Sequence, residues 1–296
     1  MKKSMARCIA CVLILSVFIQ GCAFNKNYST ITIDNSDSIA EVIKSTMKNR
    51  SASVLITFSA YTLDRSSIES IVAELVEEAF YESDDPKGGD YLRYQYSGYE
   101  IKHTAEKKLF KYNYKVRIIP EYYTSKEQED ELDQRVDDII LGLNITEDMS
   151  DEAKVRAVHD YICENVSYDT VHKHTPGSGH IQSTAYGALV YNTALCQGYA
   201  VATYRLLKEL GIDNRIVTGD ATVSLTTERH AWNIVLVDGA YYNLDVTLDD
   251  VNGSLSYYLK SDEDFAVDHV RDQKYMSDDF CSCYPVSKES YNFEEY

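Results

Sequence analysis

Basic residues are scarce in this chain. Its 296 residues carry 29 Lys and Arg against 47 Asp and Glu, a formal net charge of −18. Such a surface repels polyphosphate backbones and anionic lipid headgroups, so no nucleic-acid partner is expected, and neutral or basic peptides are the more compatible substrates. Long apolar runs are missing as well. The one candidate, Cys8 to Ile19, is too short for a comfortable membrane span. No internal repeat or low-complexity segment occurs. No Cys or His cluster repeats the spacing of a zinc site, so neither a metal nor another cofactor is expected. His172-Lys-His174, with His180 nearby, is the best alternative, but its Gly/Pro/Ser-bearing loop reads better as a rim over a site. The acidic stretch from Asp249 to Gly253 lacks the leading spacing of a calcium loop. Tryptophan occurs once, at Trp232.

The N-terminus reads as a targeting segment. Lys2, Lys3 and Arg7 precede the apolar run, the pattern of a signal peptide over residues 1–21. It ends in Ile19-Gln20-Gly21-Cys22, which resembles a bacterial lipobox. Cleavage before Cys22 would leave that thiol lipidated, with residues 22–36 as a tether and the protein on a membrane outside the cytoplasm; plain secretion is the alternative. Removing the segment leaves 26 basic against 47 acidic residues, a net charge of −21. The mature chain then has Cys163, Cys196, Cys281 and Cys283 besides Cys22. Cys163 falls on an apolar helix stripe with Val155, Val158 and Ile162. Cys281 and Cys283 could form a redox pair, one of them could bridge to Cys163, or both could stay free.

About 275 residues suffice for two domains. Residues 37–124 read as a small α+β module. A strand over 51–60 leads to a helix capped by Asp64 and running to about Tyr81, then to strands near 91–103 and 109–123. The tyrosines of those strands (Tyr91, Tyr94, Tyr96, Tyr99 and Tyr112 among them) could form a ligand-binding face or be ordinary strand residues. A capping box at Ser125 and Gln128 opens the second domain, 125–296, with helices to about Leu141 and from Ser150 to Val166.

The chemistry lies between Cys196 and Asp245. Ala200, Tyr204 and Leu207, with Val201 and Leu210 beside them, give residues 196–210 a helical period, and Gly211 stands where a C-terminal cap belongs. Cys196 is therefore expected at a helix N-terminus, where the helix dipole favours thiolate over thiol. Gly198 keeps the first turn slim, which would let a substrate backbone approach. Downstream, 230–237 and 240–247 are strand-like, and Asp238-Gly239 between them signals a two-residue turn. That turn pairs Val237 with Ala240 and Trp232 with Asp245. It makes His230 and Asp245 diagonal neighbours on one face, about 7–8 Å apart at the backbone and within side-chain reach. A thiol, an imidazole and a carboxylate so placed point to acyl transfer. Trp232 shares their face and would shield them from water. Asn233 points the other way. The backbone N–H of Cys196 is the natural first oxyanion donor, and Tyr186 or Gln197 is the candidate second.

Several spaced motifs resemble the transglutaminase-like superfamily in its bacterial secreted branch. They are Tyr-Gly-Ala-Leu (186–189), Cys-Gln-Gly-Tyr-Ala (196–200), Leu-Leu-Lys-Glu-Leu-Gly-Ile (206–212), Val-Thr-Gly (217–219), His-Ala-Trp-Asn (230–233) and Asp-Gly-Ala-Tyr-Tyr-Asn-Leu-Asp-Val-Thr (238–247). Residues 162–169 and 258–269 resemble the flanking segments, so the likeness covers about 126–270. It implies an α+β, papain-like core with a helix-start cysteine packed on an antiparallel sheet. In that core Cys196 is the nucleophile, His230 the general base and acid, and Asp245 the group that orients it. Two departures stand out. Thr193-Ala194-Leu195 replaces the glycines many relatives carry, and no tryptophan lies upstream of Cys196, where animal transglutaminases use one for the oxyanion. The expected activity is hydrolysis of peptide or protein amides through an acyl-enzyme, cell-wall peptides being one substrate class. Transamidation to a lysine amine and a non-catalytic binding module are the alternatives.

Overall fold

The computed structural model describes residues 28–32, 36–172, 181–223 and 225–292. They divide into two compact units. One takes the described residues up to Tyr81 together with Ser97–Glu121, and the other takes Glu82–Tyr96 and the chain from Tyr122 onward.

The first unit starts with strand β1 (Tyr28–Thr32), helix α1 (Ser36–Lys48), strand β2 (Ser53–Ala60) and helix α2 (Arg65–Ala79). Asp64 caps α2 by accepting the Ser67 N–H at 2.8 Å. Helix α3 (Gly89–Arg93) interrupts the unit, and strands β3 (Tyr96–Lys107) and β4 (Tyr112–Tyr122) complete it. The sheet runs β1-β2-β4-β3. β1 lies parallel to β2, while β2 and β4 pair antiparallel with Ala60 opposite Tyr112. Ile43 and Met47 of α1, Ile68 and Val72 of α2, and Val54, Ile56, Val116 and Ile118 of the sheet make its core.

Two expectations change here. Part of the expected tether is β1, because residues 28–32 find a free edge on β2. Residues 91–93, expected to begin a strand, belong instead to α3, which packs with the second unit. Asp90 explains this: its carboxylate, only 1 % exposed, accepts from Arg215 Nε at 2.7 Å and from the Ile216 N–H at 2.9 Å. Tyr91 is buried with its hydroxyl on Glu129 at 2.7 Å, and Tyr94 hydrogen-bonds Tyr275 at 2.8 Å. Tyr91 is a core residue of the second unit, and Tyr94 packs against that core.

The second unit continues through α4 (Lys126–Gly142), α5 (Asp151–Asn165), the short strand β5 (Ser167–Tyr168), α6 (Ala185–Leu189), β6 (Thr193–Ala194) and α7 (Cys196–Glu209). Strands β7 (Asn214–Val223), β8 (Thr226–Val237) and β9 (Ala240–Leu244) follow, then α8 (Val246–Asn252), α9 (Asp262–Phe265), β10 (His269–Arg271) and α10 (Asp278–Cys283). The sheet runs β10-β7-β8-β9 and is antiparallel throughout; β5 and β6 form a separate parallel pair. The capping box at Ser125 and Gln128 starts α4.

Helix α7 is the centre of this unit. It packs on β7 and β8 and against α5, α6 and α8. A single apolar stripe understates its burial: every residue from Gly198 to Lys208 is buried. Its buried charged residues are ion-paired, although among the described residues Thr203 Oγ1 and Arg205 Nη1 have no hydrogen-bond partner. Arg205 pairs with Asp133 at 2.9 Å and Glu209 at 2.8 Å, and Lys208 pairs with Asp213 at 2.5 Å. The molecule is α+β, with a helix-start cysteine packed on an antiparallel sheet.

Candidate active site

Each candidate residue is held by backbone that its own sequence dictates. Leu195 is the N-cap of α7, so Cys196 is the first helical residue and its N–H belongs to the set that has no intrahelical partner. Gly198 serves the chain itself. A Cβ there would collide with the Gln182 carbonyl, which also accepts the Leu195 N–H at 2.9 Å. The slim turn therefore admits residues 181–183 rather than a substrate backbone.

Asp238 and Gly239 take φ of 50° and 85°, as the two-residue turn requires, and the register holds from Val237↔Ala240 to Asn233↔Leu244. The strand then stops one residue earlier than the diagonal geometry assumed. Asp245 is the N-cap of α8, its Oδ1 accepting the Leu248 N–H at 3.1 Å. The cap turns Oδ2 towards β8, where it accepts from His230 Nε2 at 2.7 Å. Cys196 is among the groups that act electrostatically on the same imidazole. The structure thus joins His230 to Asp245 and places the start of α7 in their neighbourhood.

Burial shapes the electrostatics. Asp245 is fully buried. Burial alone would raise its pKa, yet the His230 and His269 rings hold it well below the usual carboxylate range. For His230, burial alone would lower the pKa; the Asp245 carboxylate and the Cys196 thiol hold it well above the ordinary imidazole value. Trp232 lies near-parallel to His230 with ring centroids 6.3 Å apart and is anchored by its indole N–H on Asn243 Oδ1 at 3.3 Å. Asn233 faces the other side of β8 and donates to the Ala200 carbonyl of α7 at 3.1 Å.

Other candidates are placed elsewhere. The Tyr186 ring is in the core, and its hydroxyl donates to the exposed Glu131 at 2.5 Å. The Gln197 amide donates to the Ser183 carbonyl at 3.1 Å. Both donors are committed within the fold. The thiols of Cys163, Cys196, Cys281 and Cys283 are unbridged. Cys163 is half-buried, packs against the core and contacts His159 Nε2 at 3.7 Å. His172 pairs with Asp169 at 2.6 Å, while His174, His180 and Cys22 lie outside the described residues.

Two residues at the site escaped the sequence. His269 on β10 donates from Nε2 to Asp245 Oδ2 at 3.1 Å, and its Nδ1 lies 2.6 Å from Asp268 Oδ1. It gets there because β10 docks on β7 beside Gly219, where any side chain would strike the Val270 carbonyl and Trp232. No local spacing announces a contact 24 residues away across a sheet edge. The second is Tyr168. Its strand β5 pairs with β6 just before Cys196, with Tyr168 opposite Ala194. Burial raises the pKa of its phenol, with the field of Cys196 the next cause. The ligand atoms of His230, Asp245 and His269 lie within 4.8 Å of one another. A cation taking all three would have to break the His230–Asp245 bond.

Residues 141–246 match the family model of the transglutaminase-like superfamily, a span that contains Cys196, His230 and Asp245. Among solved structures, a transglutaminase is similar at 15 % identity with a TM-score of 0.37, over 74 % of this chain and 59 % of the other. A provisionally assigned cysteine protease from Cytophaga hutchinsonii is similar at 15 % identity and a TM-score of 0.32, over 50 % and 62 % of the two chains. A provisionally assigned protease from Parabacteroides distasonis follows at 12 % and 0.26, over 65 % and 40 %. The chain thus spans about three fifths of the length of the first two. No curated protein sequence matches the chain.

Proposed function

We propose that the protein is a thiol-dependent acyl-transfer enzyme acting on peptide or protein amides, with water as the acceptor. The observation that carries this reading is the hydrogen bond between Asp245 Oδ2 and His230, with Cys196 acting on the same imidazole from the start of α7. Cys196 attacks the amide carbonyl as thiolate. The tetrahedral oxyanion is received by the Cys196 N–H and the Tyr168 hydroxyl. His230 gives its proton to the leaving amine, and a thioester links the acyl group to Cys196. Water, deprotonated by His230, then releases the acid and restores the thiol. Asp245 keeps the ring oriented and its charged form stable.

The segment over residues 1–22 supports export and lipid attachment at Cys22, which would place this chemistry outside the cytoplasm and leave peptides of the cell envelope as the nearest substrates. Among the described residues, no helix is long and apolar enough to cross a membrane.

The test is incubation with a peptide library and with purified wall peptides, followed by mass spectrometry of products and of the protein. A thioester adduct on Cys196 and cleaved amides, both lost in Cys196→Ala, support the reading. Incorporation of an added lysine amine without cleavage would move the acceptor to transamidation. Unchanged peptides with an unmodified Cys196 would leave a binding module.

A further inference from the structure

The acidic chain has one strongly basic segment. Residues 102–115 read Lys-His-Thr-Ala-Glu-Lys-Lys-Leu-Phe-Lys-Tyr-Asn-Tyr-Lys, five lysines against the single acid Glu106. They form the end of β3, the tip of the hairpin and the start of β4, and the turn is closed by the Lys108 N–H on the Lys111 carbonyl at 2.8 Å. At the tip stand Leu109 and Phe110, 91 % and 85 % exposed. Other large apolar residues are well exposed in this chain, but among the described residues no two others adjacent in sequence are both turned out this far. A solvated turn has no need of two such side chains, and Leu and Phe have no role in closing it.

The surroundings grade outward in polarity. Behind the apolar tip come Tyr61, 70 % exposed, and Tyr112, with the Lys111 ammonium 5.7 Å over the Tyr61 ring. Lys107 and Lys108 flank the tip on the other strand. Glu106 is engaged by Lys108 at 2.5 Å and is further held ionised by Lys115, so the segment keeps a net positive charge. An apolar tip bracketed by lysines and backed by tyrosines suits a lipid interface, where long lysine stems reach back to the headgroups while the tip enters the acyl boundary. The net acidity of the molecule does not cancel this, because charges farther than about 10 Å are largely screened at 0.1 M salt.

We propose that the β3–β4 hairpin docks on an anionic phospholipid surface, with Leu109 and Phe110 entering the headgroup–acyl boundary and Lys107, Lys108 and Lys111 facing the phosphates. The proposal is independent of the acyl-transfer reading and of any lipid on Cys22.

The test uses Phe110→Trp in the full chain. Trp232 is the only native tryptophan and is 1 % exposed, so the new indole reports on the tip whatever holds the rest of the protein to a vesicle. Vesicles of equal parts phosphatidylglycerol and phosphatidylcholine should shift the new emission to the blue. Raised salt, or Lys107→Glu, Lys108→Glu and Lys111→Glu in the same background, should reverse the shift. Leu109→Ser with Phe110→Ser should weaken partition of the otherwise native chain by roughly tenfold or more. No shift on anionic vesicles overturns the proposal. So does an equal shift on phosphatidylcholine alone, or one that grows with protein concentration in the absence of lipid, which would make a second copy the occupant.

Discussion

His269 and His230 share one acceptor: each ring donates from Nε2 to Asp245 Oδ2, at 3.1 and 2.7 Å. The other Asp245 oxygen holds the first turn of α8. A carboxylate tied from three directions cannot swing, so the orientation of His230 depends in part on β10. That makes a positioning role for His269 testable. His269→Ala should lower kcat by about 10–100-fold, the usual worth of a group that orients a ligand or base, with little change in KM. His269→Gln can offer an amide N–H at the same place and should recover part of the loss. Steady-state kinetics of the two variants decide this; equal losses in both, or a loss confined to KM, would count against it.

Gly219 should matter for the same reason. It lies opposite His230 on β7 and lets β10 close in. Gly219→Ala forces the Val270 carbonyl and Trp232 outward. The expected cost is about 1–3 kcal/mol of stability, read by urea unfolding, together with a fall in kcat towards that of His269→Ala. A variant of native stability and full activity would show that β10 has room to spare.

Tyr168→Phe removes a hydroxyl without changing the ring. If that hydroxyl receives the oxyanion, kcat should fall by roughly 100–1000-fold, while single-turnover binding of a substrate analogue stays the same. A loss in binding alone would make Tyr168 a wall of the cleft.

Much of this arrangement is visible in residue order, and the gaps have physical causes. The Asp238-Gly239 turn fixes the β8–β9 register because both residues accept positive φ, and the Ser125 and Asp64 caps mark helix starts for equally local reasons. The end of β9 is less legible. Asp245 can continue a strand or cap a helix, and only the docking of α8 against α5 decides for the cap. Residues 91–93 look extended until Arg215, far along the chain, claims the adjacent Asp90. Tyr186 and Gln197 lie near the cysteine in sequence, but Glu131 and Ser183 take their donors. His269 and Tyr168 arrive through strand pairings that no period reveals.

A second imidazole makes stability depend on pH. His159 of α5 is buried, donating from Nδ1 to Asp160 at 2.9 Å and from Nε2 to Asp249 of α8 at 3.2 Å. Burial alone would lower its pKa, but Asp160 and Asp249, with the Cys163 thiol, push it up to about 11. The folded value lies above that of the unfolded chain, about 6.5. Its stabilisation is therefore complete below that point and is lost as pH rises towards 11. His159→Gln should cost about 3 kcal/mol or more in mildly acid solution, the scale of breaking a buried pair. The gap to the native chain should narrow steadily on the alkaline side. Chemical denaturation across that range checks it; a gap that stays constant or widens would mean the ring is neutral in the fold.

The central claim is an activated thiol at Cys196, and site-resolved mass spectrometry of its alkylation tests it most directly. A neutral reagent is applied to the native chain and to His230→Ala across the pH range, with Cys163, Cys281 and Cys283 read separately. Labelling of Cys196 much faster than that of Cys281 and Cys283 in mildly acid solution, lost when His230 is removed, is the predicted result. Labelling of Cys196 no faster than those thiols and the same in both proteins would contradict the account.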